Sequence, residues 1–262
     1  MGVRAAGMGG AFTAVADDAS AVFWNPAGLA GGSFFSLALD RNTLDHDSAT
    51  LIALGTPPLG ISYYRTATDA LPGSRHALVT HHAGVTLLHS LADRLAVGAT
   101  VKLVRGVVSS AAASVSTNKF DTDLGVMTTG SFLRLGLTVR NATEPEFAVP
   151  GGGSAALQRR VRAGLAVNTS RRSVAAADFD LTTAETVRGD WREASIGLEA
   201  NPLRKARIRG GLRWNTADGP AAPVGTVGGS FAVYGSTLAD AQLSFGSDDG
   251  NRGWGIGLRF VF

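Results

Sequence analysis

The closing segment alternates with a period of two: Trp254, Ile256, Leu258, Phe260 and Phe262 share one face, while Gly253, Gly255, Gly257 and Arg259 occupy the other. Successive strand side chains point to opposite faces, so this spacing predicts a strand with an apolar outside and a small or charged inside. The pattern recurs. Leu133, Leu135, Leu137 and Val139 oppose Arg134, Gly136, Thr138 and Arg140, and Val161, Ala163, Leu165 and Val167 oppose Arg162, Gly164, Ala166 and Asn168. Ile208, Leu212 and Trp214 oppose Arg207, Arg209, Gly211 and Arg213 in the same way. One such hairpin would also suit a soluble sheet with its apolar face inward.

The connections separate the two readings. Strands are predicted near 33–39, 49–56, 59–66, 81–89, 94–106, 119–128, 131–140, 158–168, 173–182, 191–200, 206–215, 226–233, 237–246 and 253–262. Tight reversals at Thr56 to Leu59, Ser90 to Asp93, Thr129 to Gly130, Asn168 to Arg172, Asn201 to Lys205 and Tyr234 to Ser236 alternate with longer links. The longer links are Arg41 to Ser48, Ala67 to Thr80, Val107 to Asn118, Asn141 to Leu157, Thr183 to Asp190 and Thr216 to Gly225. Short turns at one end and longer loops at the other define an up-and-down outer-membrane barrel. Unpaired edges cannot persist in hydrocarbon, so the first and last strands are expected to meet. The expected fold is all-β: an antiparallel transmembrane β-barrel of 14 strands, or 12 if one short hairpin is lost, formed by residues 33–262 behind an N-terminal segment, residues 1–32. An even strand count puts both termini on the periplasmic side.

Composition agrees and removes other classes. Glycine is abundant at 34 residues, proline moderate at 9 and cysteine absent, which suits many strands and turns and excludes disulfides, thiolate metal sites and cysteine nucleophiles. The net charge of +3 is a small excess of 24 Lys and Arg over 21 Asp and Glu, so a nucleic-acid partner is not expected. No apolar run reaches the roughly 18 residues of a membrane-spanning helix. A secretory signal is not recognisable at the start, and the export route stays open.

Within residues 7–30, Gly and Ala permit close packing, Asp17 and Asp18 can accept local hydrogen bonds, and Asn25-Pro26 favours a turn. The glycines lack the Lys-Ser or Lys-Thr ending of a phosphate loop. Phe12, Phe23 and Trp24 favour insertion into the lumen, where ordering removes apolar area from water. Phe12, Asp17, Asp18, Phe23, Trp24, Asn25 and Pro26 are therefore the candidate hatch residues.

The projected lumen carries Lys102, Arg134, Arg140, Arg162, Arg207, Arg209, Arg213 and Arg259 against Asp121, Asp123, Asp178, Asp180, Glu193 and Glu199. Mixed charges in a narrow, partly dry lumen should form compensated networks that stabilise the interior. No catalytic constellation emerges. His76 falls in a loop and His82 points opposite His81 and His89, Ser195 lacks a nucleophile elbow, and Asp121 with Asp123 form an inward pair on one strand. Neither a metal site nor a cofactor is expected.

The Gly7-Met8-Gly9-Gly10 start, the Ala16-Asp17-Asp18-Ala19 stretch, Asn25-Pro26-Ala27-Gly28, Phe120-Asp121-Thr122-Asp123-Leu124-Gly125, Leu135 to Asn141 and the terminal Phe262 closely resemble the superfamily of FadL-like outer-membrane transporters and PorV/PorQ-like barrel proteins. The resemblance implies a fourteen-stranded bacterial outer-membrane barrel with an N-terminal hatch, bathed in outer-membrane lipid and delivered by the barrel assembly machinery. It also implies uptake of small hydrophobic compounds or, alternatively, service as an adaptor for an envelope partner in protein secretion. The long hydrophobic surface loops of well-equipped fatty-acid transporters are not evident.

Overall fold

The computed structural model describes residues 1–44, 47–68, 71, 76–170, 172–186, 189–246 and 252–262. The N-terminal segment folds into a short helix α1 (Val3–Gly7), a single turn α2 (Ala21–Trp24) and a 3-10 turn (Pro26–Gly31). The strands follow: β1 (Ser36–Leu44), β2 (Asp47–Thr56), β3 (Leu59–Thr68), β4 (Ala77–Ala92), β5 (Leu95–Ser109), β6 (Ser114–Thr129), β7 (Leu133–Arg140), β8 (Glu146–Ala148) and β9 (Ser154–Ala156). Beyond them lie β10 (Arg160–Ser170), β11 (Ser173–Asp180), β12 (Ala184–Thr186), β13 (Gly189–Trp191), β14 (Glu193–Leu203), β15 (Ala206–Asn215), β16 (Val224–Tyr234), β17 (Thr237–Gly246) and β18 (Gly253–Val261).

Among the described residues, fourteen strands close into one antiparallel barrel in which each pairs with its neighbours in sequence, β1 joins β18, and the hairpins β8-β9 and β12-β13 stand outside the ladder. Ser36 pairs with Val261 and Leu44 with Gly253, so the barrel has no free edge. The alternation then sorts side chains by solvent. Leu135, Leu165, Leu212, Ile256 and Leu258 are exposed on the outer wall, whereas Thr138, Arg162, Arg209 and Arg259 are buried within it. An apolar exterior around a polar, buried interior is the arrangement of a membrane-spanning barrel, and no helix among the described residues is long and apolar enough to cross.

The first predicted strand, 33–39, is displaced: β1 runs from Ser36 to Leu44, and Thr43 pairs with both Ser48 and Trp254. The predicted long link from Arg41 to Ser48 is therefore mostly ladder, because its polar residues pair as strand, and residues 45 and 46 lie outside the described residues. Parts of three other predicted connections, at 69, 70 and 72–75, at 171, and at 187 and 188, also lie outside them. The link from Val107 to Asn118 shortens to 110–113 because β5 and β6 pair as far as Ser109 with Ser114. Two predicted loops contain the short hairpins, and β8 places the fully buried Phe147 against Leu78, Val104 and Val108. Gly106 admits that ring, since a Cβ there would meet Phe147 Cε1 at 2.6 Å.

The core of the molecule lies inside the barrel. Ala5, Met8, Ala11, Phe12, Ala14, Val15 and Leu29 from the N-terminal segment pack against Ala38, Leu51, Ala53, Tyr64, Ala166 and Ala176 of the wall. The wall supplies small residues because the segment fills the space that large side chains would otherwise occupy.

Candidate functional site: a plugged lumen between two vestibules

The segment is seated through its backbone. Asn25 Nδ2 donates to Thr13 O (3.0 Å) and to Val126 O on β6 (3.1 Å), while its Oδ1 accepts from Ala27 N (3.2 Å). One amide side chain thus ties the turn to itself, to the preceding loop and to the wall. Pro26 follows at the first position of the 3-10 turn, where its fixed φ fits and its missing N–H costs nothing. Asp178 Oδ2 accepts from the backbone N–H groups of Phe12 (3.0 Å) and Thr13 (2.8 Å), and Thr226 Oγ1 donates to Gly7 O (3.1 Å).

Close approach requires glycine on the wall. A Cβ on Gly136 would meet Thr13 O at 2.5 Å, and one on Gly98 would meet Ala27 N and Pro26 C at 2.6 Å. Gly125, Gly197 and Gly211 face Asn25, Met8 and Gly9 just as tightly. These glycines sit on β5, β6, β7, β14 and β15, so they form a small-residue belt on which the segment rests.

Beneath the belt, three arginines alternate with three carboxylates. Arg4 grips Glu199 through Nη2 to Oε1 (2.8 Å) and Nε to Oε2 (2.9 Å), and its Nη1 reaches Asp18 Oδ2 (3.0 Å). Arg259 also reaches Asp18 (3.1 Å) and holds Asp240 through Nε (2.6 Å) and Nη2 (3.0 Å). Arg209 joins Glu199 to Asp240, with Ser230 bound among them. Burial pushes the Asp18 carboxyl up, but Arg4, Arg259 and a hydrogen bond from Ser20 outweigh it and hold the group down at about 2. Arg4 is raised well above its ordinary value because Asp17, Glu199 and Asp18 outweigh its burial. With Ser230 included, the cluster ties the segment to five successive strands, β14 to β18.

A cavity of about 460 Å³ opens at the long-loop end, with Phe23, Trp24, Tyr64, His82, Arg140 and Arg160 among its lining. Its floor is aromatic. Trp24 makes edge contacts with Phe12 (6.0 Å between centroids) and Phe23 (5.6 Å), Phe23 meets Tyr64 (5.5 Å), and Tyr64 stacks on His82 (4.1 Å). A second cavity, about 480 Å³, opens at the tight-turn end beside Arg4, Asp17, Phe132, Arg134, Val174 and Glu199. The two linings share no residue, and the N-terminal segment contributes to both.

The structure brings most of the projected lumen charges together. Lys102 Nζ lies 2.9 Å from Asp121 and 2.7 Å from Asp123, and Arg162 lies 2.9 Å from Glu193 and also pairs with Asp180. Arg213 is 3.8 Å from Glu193, and Arg134 is 3.6 Å from Asp17. Three candidates depart from the expected charge pairing. Asp178 serves backbone N–H groups of the segment through Oδ2, while its Oδ1 is buried without a hydrogen-bond partner. Arg140 lies over the Phe23 ring (4.3 Å to the centroid), where an aromatic face replaces a carboxylate. Arg207 has neither an ion pair nor a hydrogen bond among the described residues, since Glu199 and Asp240 are taken by its neighbours. The Ser195 hydroxyl is buried without a hydrogen-bond partner, and no group of His, Asp or Glu among the described residues could hold a metal ion.

Sequence reasoning missed Arg4, Tyr64, Ser230 and Asp240 as parts of the lumen. Asp240 and Ser230 were accessible by parity, since both alternate with outward positions such as Leu243 and Phe231. Arg4 carried no such signal, because it lies in α1, outside any strand.

The fold has known counterparts. The monoaromatic hydrocarbon channel CymD matches with a TM-score of 0.75 at 14% identity, covering 100% of this chain and 97% of that one. The Ralstonia pickettii toluene transporter TbuX matches at 0.73 and 14% identity over 100% and 98%. A Pseudomonas aeruginosa FadL homologue matches at 0.67 and 12% over 100% and 98%. At these identities the likeness shows the fold: this chain is a FadL-like fourteen-stranded barrel. The family model described as F plasmid transfer operon, TraF, protein matches residues 77–180, less than half of the chain. No curated protein matches the sequence.

Proposed function

We propose that the chain is a bacterial outer-membrane channel for small hydrophobic compounds, in which residues 7–28 act as a hatch that must shift for passage. The observation that carries this reading is the lumen itself, with an aromatic-floored vestibule on one side of the segment and a polar one on the other. An apolar solute entering from the long-loop end would pass a polar rim that includes Asn42, Arg140 and Arg160 and settle on the rings of Phe23, Trp24 and Tyr64 at the floor. The solved structures sharing the fold include a monoaromatic hydrocarbon channel and a toluene transporter, which supports the same class of solute here. In this reading the tight turns and both ends of the barrel sheet face the periplasm.

Flux into liposomes tests the proposal. Toluene entry should exceed that of protein-free vesicles, and deleting residues 7–28 from an assembled barrel should raise it further. A general ionic conductance after deletion would identify a plug without solute selectivity. The charge-filled lumen also supports the adaptor reading, in which the barrel stays sealed and binds an envelope protein. Equal impermeability of the intact and deleted barrels to toluene and ions would favour that reading.

A further inference from the structure

The outer wall carries a second candidate site, unrelated to the lumen. Across the ladder, Arg65 on β3 pairs directly with His81 on β4, and His81 pairs with Arg105 on β5. Adjacent strands lie about 4.8 Å apart, so the three bases fall within roughly 10 Å. All three share the outward parity, continuing the faces that carry Ile61 and Tyr63, Val85 and Leu87, and Val101 and Leu103. Each stands on the long-loop side of those apolar residues.

Among the described residues no carboxylate neutralises them. Among the described residues Arg65 and Arg105 have no ion pair and no side-chain hydrogen bond, and the carboxylates of the barrel strands, such as Asp40, Asp121, Asp123, Asp178 and Asp240, face the lumen. Uncompensated charge on a lipid-facing wall is costly, so Arg65 and Arg105 call for an anionic partner there. His81 is also held in place: Tyr63 Oη lies 2.8 Å from its Nδ1, which leaves Nε2 for an outside partner. Compact cation clusters with guanidinium forks match phosphate oxygens.

The geometry points to a bound lipid: Arg65, His81 and Arg105 hold the phosphate of a lipid in the leaflet at the long-loop end, with its acyl chains lying along Val85, Val101 and Leu103. A lipid meets both halves of the surface at once, the cations through its headgroup and the apolar band through its tails. Free phosphate would use only the first. The inference requires the membrane-facing exterior alone and does not depend on transport.

The test uses the intact barrel in neutral detergent, with retained lipid counted by native mass spectrometry. The probes are diphosphoryl lipid A, the same lipid with its phosphates removed, and inorganic phosphate. The wild type should retain the phosphorylated lipid at least about tenfold better than the dephosphorylated one, and 0.5 M salt should erase the preference. R65Q/R105Q should lose the preference while binding the dephosphorylated lipid as before. R204Q/K205Q, in a turn at the opposite end, should keep it. If the double variant fails to assemble, H81Q and the salt series on the wild type decide. Equal retention of both lipids by the wild type overturns the site, as does an unchanged preference in R65Q/R105Q or H81Q. Displacement of the lipid by millimolar inorganic phosphate would overturn its assignment to a lipid.

Discussion

Adding one methyl group at Gly136 should loosen the N-terminal segment while leaving the barrel intact. The new Cβ would lie 2.5 Å from Thr13 O, 2.9 Å from Thr13 C and 3.0 Å from Asn25 Nδ2, whereas ordinary contacts begin near 3.4 Å. Because the obstacle is backbone, relief requires the Thr13 loop to move by most of an ångström, which also stretches the Asn25 hydrogen bond to Thr13 O. Overpacking of this kind costs about 1–3 kcal/mol. The cost falls on the seated state alone, so the population with the segment open should rise by roughly 5- to 150-fold. The chain has no cysteine, so a single A14C reporter is unambiguous, and Ala14 is fully buried when seated. Maleimide labelling of A14C should be slow in the parent and accelerate by that factor in G136A. G210A is the control: it also replaces a strand glycine, but its Cβ would meet nothing nearer than Thr226 O at 3.8 Å. Equal labelling rates in G136A and G210A, or labelling of the parent at the rate of a free thiol, would refute the reasoning.

Three further outcomes follow from the same structure. Arg in place of Leu135, Leu165 or Leu212, all exposed on the outer wall, should cost about 2–4 kcal/mol near the bilayer midplane and reduce the heat-modifiable, assembled fraction on gels. Glu199→Leu strips Arg4 and Arg209 of a shared carboxylate, and breaking such a buried pair costs about 3–5 kcal/mol, so the urea midpoint in lipid should fall. Asp18, held at about 2 in the seated state against about 3.9 when free, contributes roughly 2 kcal/mol to seating above pH 4. That contribution is lost as pH falls through 2; at a fixed pH of 7, D18N, which removes the charge, should speed A14C labelling by about 30-fold, and an unchanged rate would contradict this assignment of charge.

The barrel was legible in the chain because burial on one face and lipid on the other leave a strict period of two. The predicted segments 206–215 and 237–246 coincide with β15 and β17. Legibility failed where polarity alternated without large apolar residues. Arg41, Asn42 and Thr43 read as the start of a loop, yet they continue β1, pairing with Thr50, Ala49 and Ser48 on β2 and with Ile256, Gly255 and Trp254 on β18. The hairpin that carries Phe147 was hidden because three-residue strands are too short to show a period. In the lumen, parity located the charges but not their partners. Arg140 shares an inward face with Arg134, and only the fold shows that one meets aromatic rings and the other Asp17. The wall glycines stood in plain sight at inward positions, but their purpose depends on which part of the N-terminal segment approaches them.

A reversible lock between segment and wall tests the central claim most directly. A Cβ built on Gly55 lies 3.7 Å from Ala19 Cα and meets only the flexible end of the Leu29 side chain more closely, so A19C/G55C should cross-link the segment to β2 with the Leu29 methyl giving way. Toluene flux into liposomes is then measured on one preparation, first oxidised and then reduced. The account predicts flux at the protein-free level when the bridge is closed and recovery on reduction; equal flux in the two states, with the cross-link verified by mass, would contradict it.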